Sequence, residues 1–352
     1  MKQKIKLVIL TLLVYGIPIL LWSVVPFSKN IWGSYSSSFI FNYLFYGKIA
    51  YSAIGIIFDL LIVYCAYLLF RKDSPIEQER VYLISSGLKK IFSWVFLKKM
   101  KEPLIISREE KTSVLFYLVK LFFTPVMISF TIGNISSLIH LLPALMPSLK
   151  TGFGLSALTI NALYIPFLFY LMLAIDTSIF SFGYLFESPK LKNVVKSVEP
   201  TVLGWIVAIM WYPPINDLTG KILGWYTSDF SDFGSIKINL IVGLASILLF
   251  IIYVWASIAL GFKASNLTNR GIVAKGPYRY VRHPAYASKN LSWWIMAIPF
   301  IKINGFVAIF SMVVVSFFYF LRALTEERHL MQDPDYVEYT KKVKYMFIPG
   351  VF

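Results

Sequence analysis

The chain has 352 residues, of which 57% are hydrophobic and only 15% are charged. Apolar runs long enough to cross a hydrocarbon layer of about 30 Å recur along it, which excludes a soluble globular domain. The formal net charge of +16 comes from basic residues spread over several loops, so attraction to anionic lipid headgroups explains it better than nucleic-acid binding.

Eight apolar runs predict an all-α fold, a polytopic transmembrane helical bundle. The runs cover residues 7–25, 49–70, 114–138, 156–186, 201–216, 238–262, 287–301 and 304–323. The first run ends without a small-residue cleavage pattern, so we expect a retained helix. Pro299 lies near the end of the short seventh run, so the last two runs are expected to form a tight hairpin, and a count of seven spans stays open.

The distribution of basic residues predicts the sidedness of these spans. If the eight runs alternate across the membrane, most of the 34 Lys and Arg residues fall on one side, in segments 1–6, 71–112, 187–200, 263–289 and 322–352. Because cytoplasmic loops retain Lys and Arg, we expect both termini and a C-terminal functional segment in the cytosol.

Two regions are predicted, an N-terminal transmembrane bundle over residues 1–235 and a C-terminal core over residues 236–352. Within the first, the loop 71–112 contains a stretch with apolar residues at helical spacing. Its apolar residues are Val81, Ile84, Leu88, Ile91, Phe92, Val95 and Phe96, and its basic residues are Lys89, Lys90, Lys98 and Lys99. This pattern predicts an amphipathic helix on the cytosolic leaflet, with partner binding as the alternative.

Charged residues and prolines inside the apolar runs also carry information. Asp59, Lys120 and Asp176 fall within runs where an unpaired charge is costly, so we expect intramembrane partners or a water-filled cavity. A transporter with a charged pathway is the non-enzymatic alternative. Prolines in residues 186–201 and 211–216 predict a shaped loop and a broken fifth helix, which serves either as scaffold or as a wall of an acceptor pocket.

Several classes of site are excluded by what the sequence lacks. The single cysteine, Cys65, lies in an apolar run, which excludes a disulfide framework and a cysteine-rich metal site. His140, His283 and His329 are scattered, and we expect no metal. The sequence contains no dinucleotide fingerprint, Walker loop, zinc-protease motif or nucleophile elbow.

Two polar motifs lie in the last hundred residues. The first is Gly276-Pro-Tyr-Arg-Tyr-Val-Arg-His-Pro-Ala-Tyr286, and the second is Arg322-Ala-Leu-Thr-Glu-Glu-Arg-His-Leu330, which Tyr336-Val-Glu-Tyr339 and Ile348-Pro349 follow. Together they resemble the signature halves of the isoprenylcysteine carboxyl methyltransferase family. Members of this family are integral membrane enzymes that use S-adenosylmethionine.

The resemblance implies a cofactor and a class of acceptor. It implies S-adenosylmethionine bound between helix ends and a C-terminal segment, and a lipid-like or prenylated acceptor, such as the carboxylate of an isoprenylated cysteine. Phospholipid or amine N-methylation is the nearest alternative, and a sterol-reductase-like NADPH enzyme is another.

The same resemblance implies which residues contact the cofactor. His283, Pro284 and Glu327 are implied directly by the motifs. Tyr280 and Tyr286 are placed to flank an adenine, with interfacial anchoring as the alternative. Tyr336 and Tyr339 share a helical face, and we assign them to the cofactor site with packing as an equal alternative.

Arg322 is the predicted catalytic residue. A carboxylate acceptor is ionised at neutral pH and needs no general base, but it needs a cation to hold it in line for displacement. Glu326 lies one turn further on, can pair with Arg322 along the helix and is the second predicted catalytic residue. The resemblance also implies that Glu326 and Glu327 contribute to cofactor binding, with a solvated helix end as the alternative. The chain departs from the family pattern at Ser288-Lys289-Asn290, and we predict that Lys289 adds a second cation to the acceptor site. Snorkelling toward lipid headgroups is the alternative for both cations.

Overall fold

The structure is a computed structural model that describes residues 2–24, 52–71, 75–96, 103–151 and 156–351. It is 77% helical, so the predicted all-α class is confirmed. Two compact units are present, the first formed by residues 1–129 and 195–198 and the second by residues 130–194 and 199–352. The division predicted at residue 236 on grounds of function stays a prediction.

The first unit is a small helical bundle. It contains helices α1 (Lys2–Thr11), α2 (Ile17–Val24), α3 (Ala53–Phe70), α4 (Arg80–Phe96) and the first part of α5 (Arg108–Thr151), with a π-helical turn at Leu12–Gly16, a 3-10 turn at Ile76–Gln78 and strand β1 (Ser197–Val198). Its apolar core consists of Leu7, Val14, Leu68, Ile76, Val81, Ile84 and Tyr117. The Tyr117 hydroxyl donates to the Val14 carbonyl over 2.6 Å, which joins α5 to the π-helical turn.

Helix α4 is the predicted amphipathic helix, and its helical structure is confirmed. Val81 and Ile84 face the core of the first unit, whereas Phe92 and Phe96 are 58% and 67% exposed. The buried carboxylate of Glu110, at the start of α5, accepts hydrogen bonds from side chains of α4 and fixes the helix in place. The position of α4 at a membrane surface stays a prediction, and Lys98 and Lys99 lie outside the described residues.

The second unit contains the remaining helices. They are the rest of α5, α6 (Ala157–Thr159), α7 (Ile165–Leu185), α8 (Val202–Ile209), α9 (Ile215–Leu223), α10 (Ile236–Leu260), α11 (Pro284–Asn304), α12 (Phe306–Leu330) and α13 (Pro334–Lys342). A π-helical turn (Ile160–Tyr164), 3-10 turns (Pro189–Leu191, Gly261–Lys263 and Gly276–Arg279) and strand β2 (Thr268–Asn269) connect them. 

Three apolar clusters hold the second unit together. The first joins α7 to α10 through Ile165, Phe169, Met172, Ile247, Phe250 and Val254. The second joins α11 to α12 through Trp293, Ala297, Met312 and Val315. The third lies under α13 and consists of Tyr336, Tyr339 and Val343. Helix α10 packs on both α7 and α11. It therefore lies between a helix that precedes the motifs and the helix that starts within the first motif.

Six helical stretches among the described residues are long and apolar enough to cross a membrane. They are Lys2–Trp22, Ala53–Phe70, Arg108–Pro147, Ala157–Leu185, Ile236–Lys263 and Phe306–Leu330. These stretches support an integral membrane protein, and each corresponds to one of the predicted spans. The predicted count of eight is not confirmed, and the sidedness of the termini stays a prediction.

The two predicted spans that are absent from this set have identifiable structural reasons. Residues 201–216 form the short helix α8, a turn through Pro213 and Pro214, and the start of α9, because proline cannot donate the backbone hydrogen bond that a continuous helix needs. Residues 287–301 lie inside α11, whose polar residues dilute its apolar character. Gly305, with a φ of +55°, ends α11 and reverses the chain into α12, as expected for a tight hairpin.

One glycine allows a close approach that the second unit depends on. A Cβ atom placed on Gly183 in α7 would lie 2.1 Å from the backbone oxygen of Ala264, which is below any tolerated contact. The segment that leads into the first motif therefore packs directly on the α7 backbone.

We predict that Gly183→Ala destabilises the protein by about 1–3 kcal/mol, because the added methyl group must displace a backbone carbonyl. Thermal unfolding of the purified protein in detergent measures the effect. Gly133→Ala is the matched control, since a Cβ on Gly133 meets no atom within 4 Å. A midpoint for Gly183→Ala equal to that of the control would contradict the close packing of α7.

Candidate active site

A cavity of about 160 Å³ lies within the second unit. Helices α7, α10, α11, α12 and α13 contribute to its wall, together with the segment 263–283. Most of the predicted site residues line it: His283, Tyr286, Lys289, Arg322, Glu326, Tyr336 and Tyr339. The two motifs, which are distant in sequence, therefore converge on one space.

Three predicted site residues are outside the lining of this cavity. Tyr280 is 56% exposed, and its ring faces the guanidinium of Arg279. Pro284 is buried at the start of α11, where its fixed φ suits the first helical position. Glu327 is held by hydrogen bonds to the first motif. Their predicted contacts with a cofactor stay predictions.

Glu327 anchors the first motif to α12. Its Oε1 atom lies 2.6 Å from Arg282 Nε and 3.2 Å from His283 Nε2, and its Oε2 atom lies 3.3 Å from Arg282 Nη2. Such a two-pronged arginine–carboxylate contact fixes geometry as well as charge. Burial lowers the pKa of Arg282, but the hydrogen bond and charge of Glu327 outweigh that effect and hold it above its ordinary value.

The same motif is fastened to the C-terminal segment. Arg282 Nη1 donates to the carbonyl oxygens of Val343, over 3.1 Å, and Lys344, over 2.5 Å. The backbone N–H groups of Arg282 and His283 donate to the carbonyls of Tyr345 and Met346. The loop before α11 is therefore held between α12 and the C-terminal segment.

The tyrosines of α13 close one side of the cavity. The Tyr339 hydroxyl donates to the Tyr278 carbonyl over 2.6 Å, and the Tyr336 and Tyr339 rings lie 5.6 Å apart. Burial raises the pKa of Tyr339 above its ordinary value, so its phenol stays a neutral donor. Both side chains are at least 95% buried, which supports a packing role even though they line the cavity.

Glu326 faces the cavity, unlike its neighbour Glu327. It accepts a hydrogen bond from the Tyr286 hydroxyl over 2.8 Å. The Tyr286 ring stacks on the His283 ring with centroids 5.3 Å apart and planes at 8°. Glu326 and Arg322 form no ion pair, so the predicted pairing along the helix is wrong. Each of the two side chains has a partner on another element, which outweighs a weak contact at i,i+4 spacing.

Arg322 lies at the cavity wall with a neutral partner. Its Nη2 atom donates to Asn266 Oδ1 over 2.6 Å. Its guanidinium carbon lies 5.2 Å from the ring centroid of Tyr286, 5.9 Å from that of Tyr212 and 6.0 Å from that of Tyr319. An arginine only donates, so the amide oxygen of Asn266 must face it.

The surroundings of Arg322 suit the binding of an anion. Arg322 is only 7% exposed. A cation–π contact contributes about 0.5–2 kcal/mol, whereas removing a charge from water costs several kcal/mol. Aromatic faces and one amide oxygen do not by themselves offset the burial of this cation, and Glu326 attracts it only from beyond ion-pair distance, so an anion in the cavity would accept from its remaining N–H donors.

Asn266 is itself fixed by a residue of α7. Its backbone N–H donates to the Tyr184 hydroxyl over 2.7 Å, and Tyr184 is fully buried. The Nδ2 atom of Asn266 is buried and has no hydrogen-bond partner among the described residues. Because Asn266 also lines the cavity, this nitrogen is available to a bound ligand.

Asp176 has the intramembrane partners that the sequence led us to expect. Its carboxylate oxygens accept hydrogen bonds from the hydroxyls of Tyr253, over 2.7 Å, and Ser257, over 2.5 Å. The ring of Tyr253 in turn faces the ammonium of Lys289 at 5.0 Å. In the first unit, Lys120 similarly lies 4.9 Å from the ring of Phe116.

The loop before α8 builds a second, smaller cavity of about 40 Å³. Glu199 lines it together with His329, Arg322 and Glu326, and Glu199 also pairs with Arg328 over 2.7 Å. Glu199 does not line the larger cavity. The prediction that this loop is a wall of the acceptor pocket therefore stays open, while its role as scaffold is visible in the ion pair.

Many lining residues lie outside the predicted set, among them Tyr212, Tyr253, Asn266 and Tyr319. Tyr212 falls in the broken fifth helix that the prolines marked, and this signal could have drawn attention to it. The others carry no local signal, because their roles depend on helices that meet only in the folded protein.

Residues 238–332 match the model of the isoprenylcysteine carboxyl methyltransferase (ICMT) family. The resemblance seen in the two motifs is confirmed over this stretch, which includes α11, most of α10 and all of α12. The ICMT match supports a membrane methyltransferase. A search of curated proteins found no match.

The described residues contain no group of three or more His, Cys, Asp or Glu side chains arranged to hold a metal ion. Within the stretch that matches the ICMT family, the carboxylate of Glu327 is hydrogen-bonded to Arg282 and His283.

We predict that Glu327→Gln destabilises the protein by about 1.5–3 kcal/mol, because a neutral amide cannot replace the charged hydrogen bonds to Arg282. The thermal unfolding midpoint in detergent measures this change. Glu338→Gln is the matched control, since Glu338 pairs with Lys341 where both side chains are about two-thirds exposed, and such pairs contribute about 0–1 kcal/mol. Equal midpoints for the two variants would show that Glu327 is not an anchor.

Proposed function

We propose that this protein transfers a methyl group from S-adenosylmethionine to the carboxylate of a membrane-embedded, lipid-like acceptor. The main support for this proposal is the environment of Arg322. This residue is a buried cation on the cavity wall, and its hydrogen-bond partner is a neutral amide. The ICMT match supports the methyl-transfer chemistry. By analogy with that family, the acceptor is an isoprenylated cysteine or a similar amphiphile.

The chemistry of the lining residues fits the proposed cofactor. An adenosyl cofactor with an amino-acid tail needs an aromatic surface, a carboxylate acceptor and a cation for its own carboxylate. The cavity offers the Tyr286 ring, the Glu326 carboxylate and several basic side chains. The unpartnered Nδ2 atom of Asn266 supplies a further donor. Within the proposal, Arg282 and Glu327 position the loop that carries His283.

Bound S-adenosylmethionine supplies a methyl group that passes to a carboxylate oxygen as the carbon–sulfur electron pair returns to sulfur, yielding a methyl ester and S-adenosylhomocysteine. No proton has to be removed, so the protein needs no general base. Arg322 is placed to hold one acceptor oxygen by its free donors, and the rings of Tyr212, Tyr286 and Tyr319 restrict its movement. Orientation and exclusion of water are then the main contributions of the protein.

The charge of the cavity wall favours a carboxylate over an amine acceptor. Basic side chains on the wall are Lys263, Arg270, Arg282, Lys289 and Arg322, and the carboxylate on it is Glu326. A protonated amine would be repelled by this wall, whereas an anion would be attracted. The same basic residues are those that the predicted topology assigns to the cytosolic side, where the cofactor is available.

We predict that Glu326→Gln and His283→Ala each weaken binding of S-adenosylhomocysteine by about 1–3 kcal/mol, which is the scale of a lost hydrogen bond in a buried site. Calorimetric titration of the purified protein in detergent measures the affinity, with Glu338→Gln as a control that should bind like the wild type. Unchanged affinity in both variants would contradict the site. Thermal stabilisation by NADPH but not by S-adenosylhomocysteine would contradict the cofactor.

We predict that Arg322→Lys reduces turnover at least tenfold while cofactor affinity stays within about twofold of the wild type. A lysine keeps the charge but lacks the planar, fixed set of donors with which a guanidinium can bind Asn266 and orient one acceptor oxygen together. Methyl incorporation from labelled cofactor into a prenylcysteine analogue measures turnover, and calorimetry measures affinity. An equal loss of both would make Arg322 a structural or cofactor-binding residue.

A further inference from the structure

Lys289 is a second cation on the wall of the same cavity, and its surroundings differ from those of Arg322. Its Nζ atom lies 5.0 Å from the ring centroid of Tyr253 and 5.2 Å from that of Trp293. Among the described residues, its ammonium forms neither an ion pair nor a hydrogen bond. The side chain therefore ends between two aromatic faces with its three N–H donors unused.

Both aromatic faces are held in place by other residues. The Tyr253 hydroxyl donates to Asp176 Oδ2, and Ser257 donates to Asp176 Oδ1, so both oxygens of that carboxylate are already engaged. Trp293 lies in the apolar cluster between α11 and α12 and meets the Tyr319 ring edge-on at 5.2 Å. The position of the ammonium is thus built into the fold before any ligand arrives.

These contacts do not satisfy the charge of Lys289. Cation–π contacts stabilise a cation by less than its desolvation costs, so a partly buried ammonium calls for a counter-charge. Asp176 and Asp229 act on Lys289 only from beyond ion-pair distance, and both oxygens of Asp176 accept hydrogen bonds from Tyr253 and Ser257, so neither carboxylate accepts a hydrogen bond from the ammonium. Lys289 lines the cavity, so an anion bound in the cavity would accept hydrogen bonds from its N–H donors.

We infer that Lys289 forms a second anion subsite and that the preferred acceptor carries two acidic groups. This inference rests on the proposed function, in which Arg322 holds the carboxylate that is methylated. Lys289 then holds the other acidic group. Tyr319 lies between the subsites, because its ring contacts both the Arg322 guanidinium and the Trp293 ring that flanks Lys289.

The second acidic group belongs to the acceptor and not to the cofactor. The neighbours of Lys289 are Tyr253 on α10 and Trp293 on α11, which pack in the helical core. The residues assigned to the cofactor come from the loop before α11, from the first turn of α11, where Tyr286 lies, from α12 and from α13, whereas Lys289 lies one turn further into α11. Lys289 therefore lies on the side of the cavity that the membrane helices supply, where an amphiphile would bind.

The test compares two acceptors that share a farnesyl thioether tail, 3-(farnesylthio)propionate with one carboxylate and 2-(farnesylthio)succinate with two. Purified full-length protein is assayed in detergent with labelled S-adenosylmethionine. The wild type is expected to show a kcat/KM for the diacid about tenfold or more above that for the monoacid, as one added charged hydrogen bond implies. Lys289→Met should abolish this preference by lowering only the diacid rate, and Lys289→Arg should retain most of it.

Lys302→Met, at the exposed opposite end of α11, is the control and should behave like the wild type. Three results would overturn the inference: equal use of both acids by the wild type, an equal loss for both acids in Lys289→Met, or weaker binding of S-adenosylhomocysteine by Lys289→Met. Failure of the proposed function would give a different result. The wild type would then methylate neither acid, whether or not it methylates a lipid amine.

Discussion

A single carboxylate, that of Glu327, joins three segments that are distant in the sequence. It binds the guanidinium of Arg282 through two oxygens and the imidazole of His283 through one. Arg282 extends the connection to the C-terminal segment through the carbonyls of Val343 and Lys344. Since α11 starts directly after His283, this anchor fixes where Tyr286 stands and hence how Glu326 and Arg322 are presented to the cavity.

Adjacent glutamates thus have different surroundings for a simple geometric reason. Successive residues on a helix point about 100° apart. Glu326 is turned toward the cavity and Tyr286, whereas Glu327 is turned toward the loop before α11. A motif with two consecutive acidic residues can therefore combine a group that meets ligands with a group that holds the loop in place.

The fold class and the location of the site could be predicted from the sequence, because both depend on local patterns. Apolar runs marked the six long helices, and two motifs marked the elements that meet at the cavity. The pairing of Arg322 with Glu326 was predicted wrongly, since helix spacing says nothing about Asn266 or Tyr286, which reach these side chains from elsewhere. A continuous span over residues 201–216 is not found, because Pro213 and Pro214 interrupt the helix, as the prolines in 211–216 predicted.

Residues that support the site from a distance could not be predicted in the same way. Asn266, Tyr253 and Tyr319 look like ordinary polar or aromatic residues of a membrane protein. Their roles appear only when α10, α11 and α12 have been brought together, because each acts by orienting another side chain. Asp176 was easier to single out, since a carboxylate in an apolar run is costly and calls for a partner.

Helix α7 lies outside the stretch that matches the ICMT family, yet two of its side chains support the cavity from within. Asp176 fixes Tyr253, and Tyr184 fixes the backbone of Asn266. The family-matched stretch is therefore not an autonomous module in this chain. An expression fragment that begins at residue 236 would keep every motif residue and lose the hydrogen bonds that hold Tyr253 and Asn266 at the cavity wall, so motif content is a poor guide to where this protein can be cut.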